Sequence, residues 1–241
     1  MPGFRRRRAA TPDVSLALGR LNGPVTLPHL DRLERRRTEL EQSTDEVGDA
    51  FEATGQAHLA SVGERVRSDS SPVSKAGLLF RLVELFAPTR VVEFGSAFGV
   101  SGAYIVAAMQ SAGGGVFDTV EAARSRSVIA AETIGIVDAP DVTVRTLVGL
   151  FDEHLHVLDG VDFFFLDGNH FAEPTRHYTE TAFARGDEDL VVVLDDIAGY
   201  SGEMDDVWST LRSDARVHAH GQVGDVGVLL RGQPATRILA S

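Results

Sequence analysis

From residue 90 onward the sequence alternates short apolar runs with segments long enough for a helix. The runs fall at 90–94, 116–120, 142–147, 161–166 and 190–194. Between them lie helix-length segments at 100–112, 123–134, 151–158 and 173–184. Runs this apolar, without polar alternation, are strands buried on both faces. Such strands separated by helices make a parallel sheet covered on each side. A further helix at about 203–212 precedes runs at 216–220 and 226–231, separated only by residues 221–225. A connection that short makes an antiparallel pair. The expectation is an α/β chain: a Rossmann-like doubly wound sheet, mostly parallel, with a C-terminal antiparallel hairpin strand.

Upstream the texture differs. Residues 1–26 carry Arg5, Arg6, Arg7 and Arg8, three prolines and three glycines, with little periodicity. This reads as a flexible tail with a solvated basic run. Residues 27–72 read as a helical cap or lid. Pro28 opens a helix with Leu30, Leu33, Leu40 and Val47 near one face; a second stretch follows with Val47, Phe51, Leu59, Val62 and Val66, and the run Ser68-Asp69-Ser70-Ser71-Pro72 breaks the pattern. Residues 73–241 form the main domain, entered by a helix from Ser74 to Pro88.

Charge narrows the partners. The 241 residues hold 35 Asp and Glu against 23 Lys and Arg, a net charge of -12. Nine arginines and four acids in residues 1–40 leave -17 for the remainder. A body that acidic disfavours a nucleic-acid backbone as the main partner. There is no cysteine, which excludes disulfides, thiolate metal sites and a cysteine nucleophile. No apolar run approaches the roughly 18 residues of a membrane span. The arginine run has no apolar segment behind it, so it does not read as a secretory signal, and the expected location is the cytoplasm.

Two features point to a ligand. The first strand runs into Glu93-Phe94-Gly95-Ser96-Ala97-Phe98-Gly99. Ligands of open α/β sheets bind at the carboxyl ends of strands, where glycines let the backbone come close. The spacing is neither the Gly-x-Gly-x-x-Gly dinucleotide pattern nor a phosphate loop, and Glu93 would repel a pyrophosphate. A carboxylate there suits an ammonium group. Glu121 ends the second strand, where a carboxylate can take both hydroxyls of a ribose. Together they describe a nucleoside with an amino-acid tail and no phosphate, which is S-adenosylmethionine. The alternative is an ordinary strand–turn–helix with an exposed glutamate at a strand end.

The fourth strand ends in Asp167-Gly168-Asn169-His170 and the fifth in Asp195-Asp196. As neighbours of the first strand they would project Asp167, Asp195 and Asp196 into the glycine-loop crevice. Carboxylates so close repel one another, and a hard divalent cation compensates them. Such an ion lowers the pKa of a bound hydroxyl. His170, with an ordinary pKa near 6.5, suits a general base. Elsewhere, Trp208 packs a helix on the sheet, Tyr178 and Tyr200 lie near the mouth, and His218 and His220 share a strand face at the far edge, a surface position.

The run "SKAGLLFRLVELFAPTRVVEFGSAFGVS" at 74–101 resembles the entry of class I S-adenosylmethionine-dependent O-methyltransferases. The runs "VDFFFLDGNH" and "LVVVLDDI" resemble the acidic segments of the metal-dependent members, especially the macrocin-type sugar O-methyltransferases of antibiotic pathways. The resemblance covers about residues 70–231. It implies Asp167, Asp195 and Asp196 as magnesium ligands and His170 as base. It also implies cofactor contacts from Glu93, Gly95, Ser96, Gly99, Ser101, Glu121 and Asp167. A small-molecule hydroxyl acceptor and a homodimer or higher homo-oligomer follow by the same analogy. Leu150, after Gly149, departs from the small polar or acidic residue that relatives often place near the adenine. Two rivals stand: a metal-independent N-, C- or carboxyl methyltransferase, and a cofactor-binding partner subunit without turnover.

Overall fold

The computed structural model describes residues 11–23, 25, 30–49, 58–198 and 202–239. Arg5, Arg6, Arg7, Arg8, Pro28, Phe51 and Tyr200 lie outside them. Seven strands form one sheet: β1 (Arg90–Phe94), β2 (Gly115–Glu121), β3 (Val142–Val148), β4 (Phe163–Leu166), β5 (Val191–Leu194), β6 (Ala219–Val223) and β7 (Val226–Leu230). Their spatial order is 3-2-1-4-5-7-6. β3 through β5 run parallel, β7 is antiparallel to β5, and β6 pairs antiparallel with β7. This is a Rossmann-like doubly wound sheet with one reversed hairpin. The chain switches direction across the sheet between β1 and β4, the crevice where such sheets bind ligands.

Both faces are filled by strand residues in alternation. Phe163 and Phe165 of β4 join the core beneath α4 (Val73–Phe86) and α5 (Val100–Ala112), with Leu79, Leu82 and Ile105. Phe164 and Leu166 join the opposite core, with Phe183 of α7 (Ala172–Arg185) and Trp208 of α8 (Gly202–Leu211). β4 and β5 are buried along their whole length, which is why they read as unbroken apolar runs.

The hairpin corrects the expected boundaries. β6 begins at Ala219, and its connection to β7 is the two-residue turn Gly224-Asp225, not residues 221–225. Gly224 has φ +63°, the left-handed backbone a tight hairpin turn needs, and Val223 pairs with Val226 directly across it.

The N-terminal region departs further. Within the expected tail, residues 11–23 include α1 (Ser15–Leu21), docked on the free edge of β6. Val14 N–H donates to His220 O (2.7 Å), His220 N–H donates to Pro12 O (3.0 Å), and Leu18 is fully buried in the main core. His220 is therefore covered, not a surface residue; its ring meets Trp208 edge to face at 6.1 Å. The two cap stretches are separate helices. α2 (Leu30–Gln42) stops where the Ser43 side chain accepts the Asp45 N–H, a local bond that competes with the helix. Val47 lies instead in a two-residue ladder of Glu46–Val47 with Ala60–Ser61. Ser61 then starts α3 (Val62–Asp69) through a capping box with Glu64. Leu40, Val47, Val62 and Val66 pack around Phe98, so the cap sits on the glycine loop.

Candidate active site

The loop after β1 is shaped by close backbone approaches. Gly95 has φ +102°, and a Cβ there would lie 2.0 Å from the Asp167 carbonyl oxygen. Gly99 has φ +80°, and its Cβ would meet the Ala130 carbonyl of α6 (Arg124–Ile134) at 2.5 Å. Both glycines are required by the fold itself; they bring the loop against the end of β4 and against α6. Ser96 is buried and its N–H donates to Val120 O.

Glu121, at the end of β2, is buried beneath this loop. Its carboxylate accepts the N–H groups of Ala97 and Ala123, each at 3.0 Å. Burial raises its pKa against the pull of those bonds and of Arg126. Each oxygen keeps acceptor capacity for a further donor. Leu150 stands 45% exposed beside the β2–β3 ends. Glu93 is fully buried and turned under α5, where it accepts hydrogen bonds from Ser101 Oγ and Thr119 Oγ1, both at 2.6 Å. Burial pushes its pKa up to about 7 despite these two bonds. Ser101 thus meets Glu93 directly.

The acidic groups converge as strand order dictates. Asp167 follows β4, and Asp195 and Asp196 follow β5, its parallel neighbour. Asp167 accepts from Ser71 Oγ (3.3 Å). Burial, then the charge of Asp195 and a hydrogen bond shared with it, hold Asp167 well above the usual carboxylate range. Asp196 has φ +52°, and burial followed by Asp195 raises its pKa also. His170 stands between them, Nε2 3.9 Å from Asp167 Oδ1 and Nδ1 3.7 Å from Asp196 Oδ2.

Two members of the cluster escape the sequence reading. Asp225 arrives because β7 runs backwards: it starts at the edge where β5 ends, and Ile197 N–H donates to Asp225 O (2.9 Å). One oxygen from each of Asp195, Asp196 and Asp225 lies within 4.8 Å of the others, a hard-oxygen set whose chemistry fits a divalent cation. Lys75, from α4, reaches into the same set. Its Nζ is 2.5 Å from Asp195 Oδ1, 2.6 Å from Oδ2 and 3.8 Å from Asp225 Oδ2. Burial works to lower its pKa, but the Asp195 charge and hydrogen bond outweigh it and raise it. One sequence signal pointed here: Lys75 is the single lysine of the chain, every other Lys/Arg position being arginine.

A narrow cleft lies between the glycine loop, Asp167 and residues 69–71 at the α3–α4 junction. The serine hydroxyls and carboxylate lining it suit an amino-acid group. In this arrangement it is closed to a ligand the size of a nucleoside. Arg126 closes this side: Nε donates to Gly48 O (2.8 Å), Nη1 pairs with Asp69 Oδ2 (3.1 Å), and the guanidinium lies 5.7 Å from the Phe98 ring. Tyr178 lies buried among Phe94 and Phe151 rather than at an open mouth. Its pKa is raised by burial to about 12.

Comparison with known proteins agrees with this architecture. Residues 92–197 match the family model described as a methyltransferase domain. Among solved structures the chain is similar to the O-methyltransferase from Bacillus cereus in complex with SAH (16% identity, TM-score 0.59), over 92% of this chain and 98% of that one. It is similar to a putative O-methyltransferase from Klebsiella pneumoniae (17%, 0.59), over 92% and 96% of the two chains. It is also similar to the O-methyltransferase TomG from Streptomyces achromogenes, involved in tomaymycin synthesis, in complex with SAM (17%, 0.59), over 92% and 97%. No curated protein matches the sequence. The fold is that of the Rossmann-like methyltransferases. Among the described residues no helix is long and apolar enough to cross a membrane.

Proposed function

We propose that this chain is an S-adenosylmethionine-dependent O-methyltransferase that acts on the hydroxyl of a small molecule, with a divalent cation at the acidic cluster. The observation that carries the reading is the convergence of Asp167, Asp195, Asp196, Asp225 and His170 beside the glycine loop, at the switch point of a methyltransferase fold. The cofactor supplies a methyl group on a sulfonium. Glu121 would accept its ribose hydroxyls and Asp167 with the Ser96 region of the loop would receive its amino-acid end, while Glu93 with Ser101 braces the loop from beneath. Asp195, Asp196 and Asp225, with Asp167 adjacent, would hold the cation, magnesium by the resemblance. When bound, such an ion supplies Lewis acidity toward an acceptor hydroxyl. His170 takes the proton of that hydroxyl on its ring, and Asp167 and Asp196 on either side steady the resulting imidazolium. The aspartates and the cap hold the reactants in register, and alignment of that kind is worth roughly 7–11 kcal/mol in favourable cases.

The macrocin-type assignment, a natural-product acceptor and a homo-oligomer rest on the sequence resemblance. The natural-product reading has further support in the likeness to TomG. One observation favours a second reading, a metal-independent enzyme: Lys75 already neutralises part of the cluster.

The test pairs calorimetry of S-adenosylmethionine binding with methyl transfer to a panel of hydroxylated natural products. His170→Ala is expected to slow turnover by roughly 10²–10⁴-fold and to leave cofactor affinity within about twofold of wild type. Unchanged turnover removes His170 from the reaction. Failure of the wild-type protein to bind the cofactor ends the methyltransferase reading itself. Full activity after chelation would select the metal-independent form.

A further inference from the structure

We propose that the Lys75 ammonium and a divalent cation are alternative occupants of the Asp195 and Asp225 carboxylates, so that the metal enters only as Lys75 withdraws. The inference rests on the metal-dependent reading above and concerns how that site is loaded. The ammonium sits against both oxygens of Asp195 and within 3.8 Å of Asp225, inside the oxygen set that would hold a metal. Two cations cannot share that volume. Three carboxylates this close also need a positive charge for the cap and sheet to pack without metal, and a lysine supplies it in compact form.

Residue usage supports a specific role for this side chain. Everywhere else the chain meets its need for positive charge with arginine, including the buried Arg126 and the strand-edge Arg145. Here alone it uses lysine. A guanidinium would clasp Asp195 with two parallel bonds and resist displacement; an ammonium on a flexible four-carbon stem makes point-charge contacts and can swing away. The stem starts on α4, ahead of the strand ends, so withdrawal requires rotamer changes without rearrangement of the sheet.

Mn²⁺ binding, followed by electron paramagnetic resonance, tests this on the whole chain without any acceptor. A site free of Lys75 for only a tenth of the time binds about tenfold more weakly than an open one. Lys75→Met is therefore expected to bind Mn²⁺ roughly tenfold or more tightly than wild type, and Asp195→Asn in either background to bind poorly. Equal or weaker binding by Lys75→Met, with wild type still binding, overturns the inference and leaves the metal site standing. No Mn²⁺ binding by either protein overturns the inference and the metal reading together. A wild-type measurement covers the case in which Lys75→Met does not fold. With ¹³C-lysine incorporated, the single lysine gives one ε-methylene signal. That signal is expected to shift on Mg²⁺ titration and to saturate with the site. A Mg²⁺-insensitive signal overturns the inference.

Discussion

At the scale of single residues, Glu93 shows how far position and environment can diverge. The sequence places a carboxylate just ahead of a glycine loop, and electrostatics alone suggests an ammonium partner. The strand's alternation instead turns the side chain beneath α5, where Ser101 and Thr119 hold it and water does not reach. Burial then raises its pKa from 4.5 to about 7. As pH rises through this interval the unfolded chain ionises first. Stability contributed by protonated Glu93 is thus complete below about pH 4.5 and lost as pH climbs to about 7. The shift corresponds to on the order of 3 kcal/mol. Glu93→Gln keeps the shape and one acceptor oxygen without the ionisation. It is expected to be more stable than wild type in urea denaturation at pH 8, and close to wild type at pH 4.5. A difference that stays constant between the two pH values would mean that Glu93 does not titrate in this range.

At the scale of elements, what was legible in the sequence follows from how each element is stabilised. β4 and β5 are buried on both faces, so they write themselves as apolar runs. The acids at their ends could be placed because parallel neighbours end on the same side of the sheet. Asp225 was missed because its place depends on where the hairpin turns, and Lys75 because α4 lies far from the strand ends in sequence. α1 is the hardest case: seven residues, no side-chain cap, held by tertiary contacts through Leu18 and His220. Those contacts give it a pH dependence. Burial lowers the His220 pKa, with Asp13 opposing and Arg212 assisting. Stability from the neutral ring is therefore present above about pH 6.5 and lost as pH falls below it. Hydrogen exchange in α1, corrected for intrinsic rates, is expected to quicken between pH 7 and pH 5.5. His220→Phe, which still packs on Trp208, should abolish that pH response. If the response persists in the variant, the cause lies elsewhere.

At the scale of the whole molecule, Arg126 ties the cap to the sheet domain at three points beside the ligand crevice. Arg126 touches Gly48 just after the β-ladder, the end of α3 through Asp69, and the glycine loop through Phe98. Residues 69–71 line the narrow cleft against the glycine loop, so entry of a nucleoside with an amino-acid tail is expected to require their withdrawal. Arg126 is then a latch on that motion, and its bonds favour the closed arrangement over the open one. A hydrogen bond to a charged group contributes about 1.5–3 kcal/mol net, and the lower figure already changes a rate roughly tenfold. Arg126→Met keeps an apolar stem against Phe98 and removes both polar ties. Bound S-adenosylmethionine is expected to leave this variant about tenfold faster than wild type in a stopped-flow chase. Exchange at the amides of residues 69–71 should quicken in the cofactor-free protein, because the same bonds are absent there. A release rate equal to wild type, with those amides still protected, would place the barrier to cofactor exchange outside the cap.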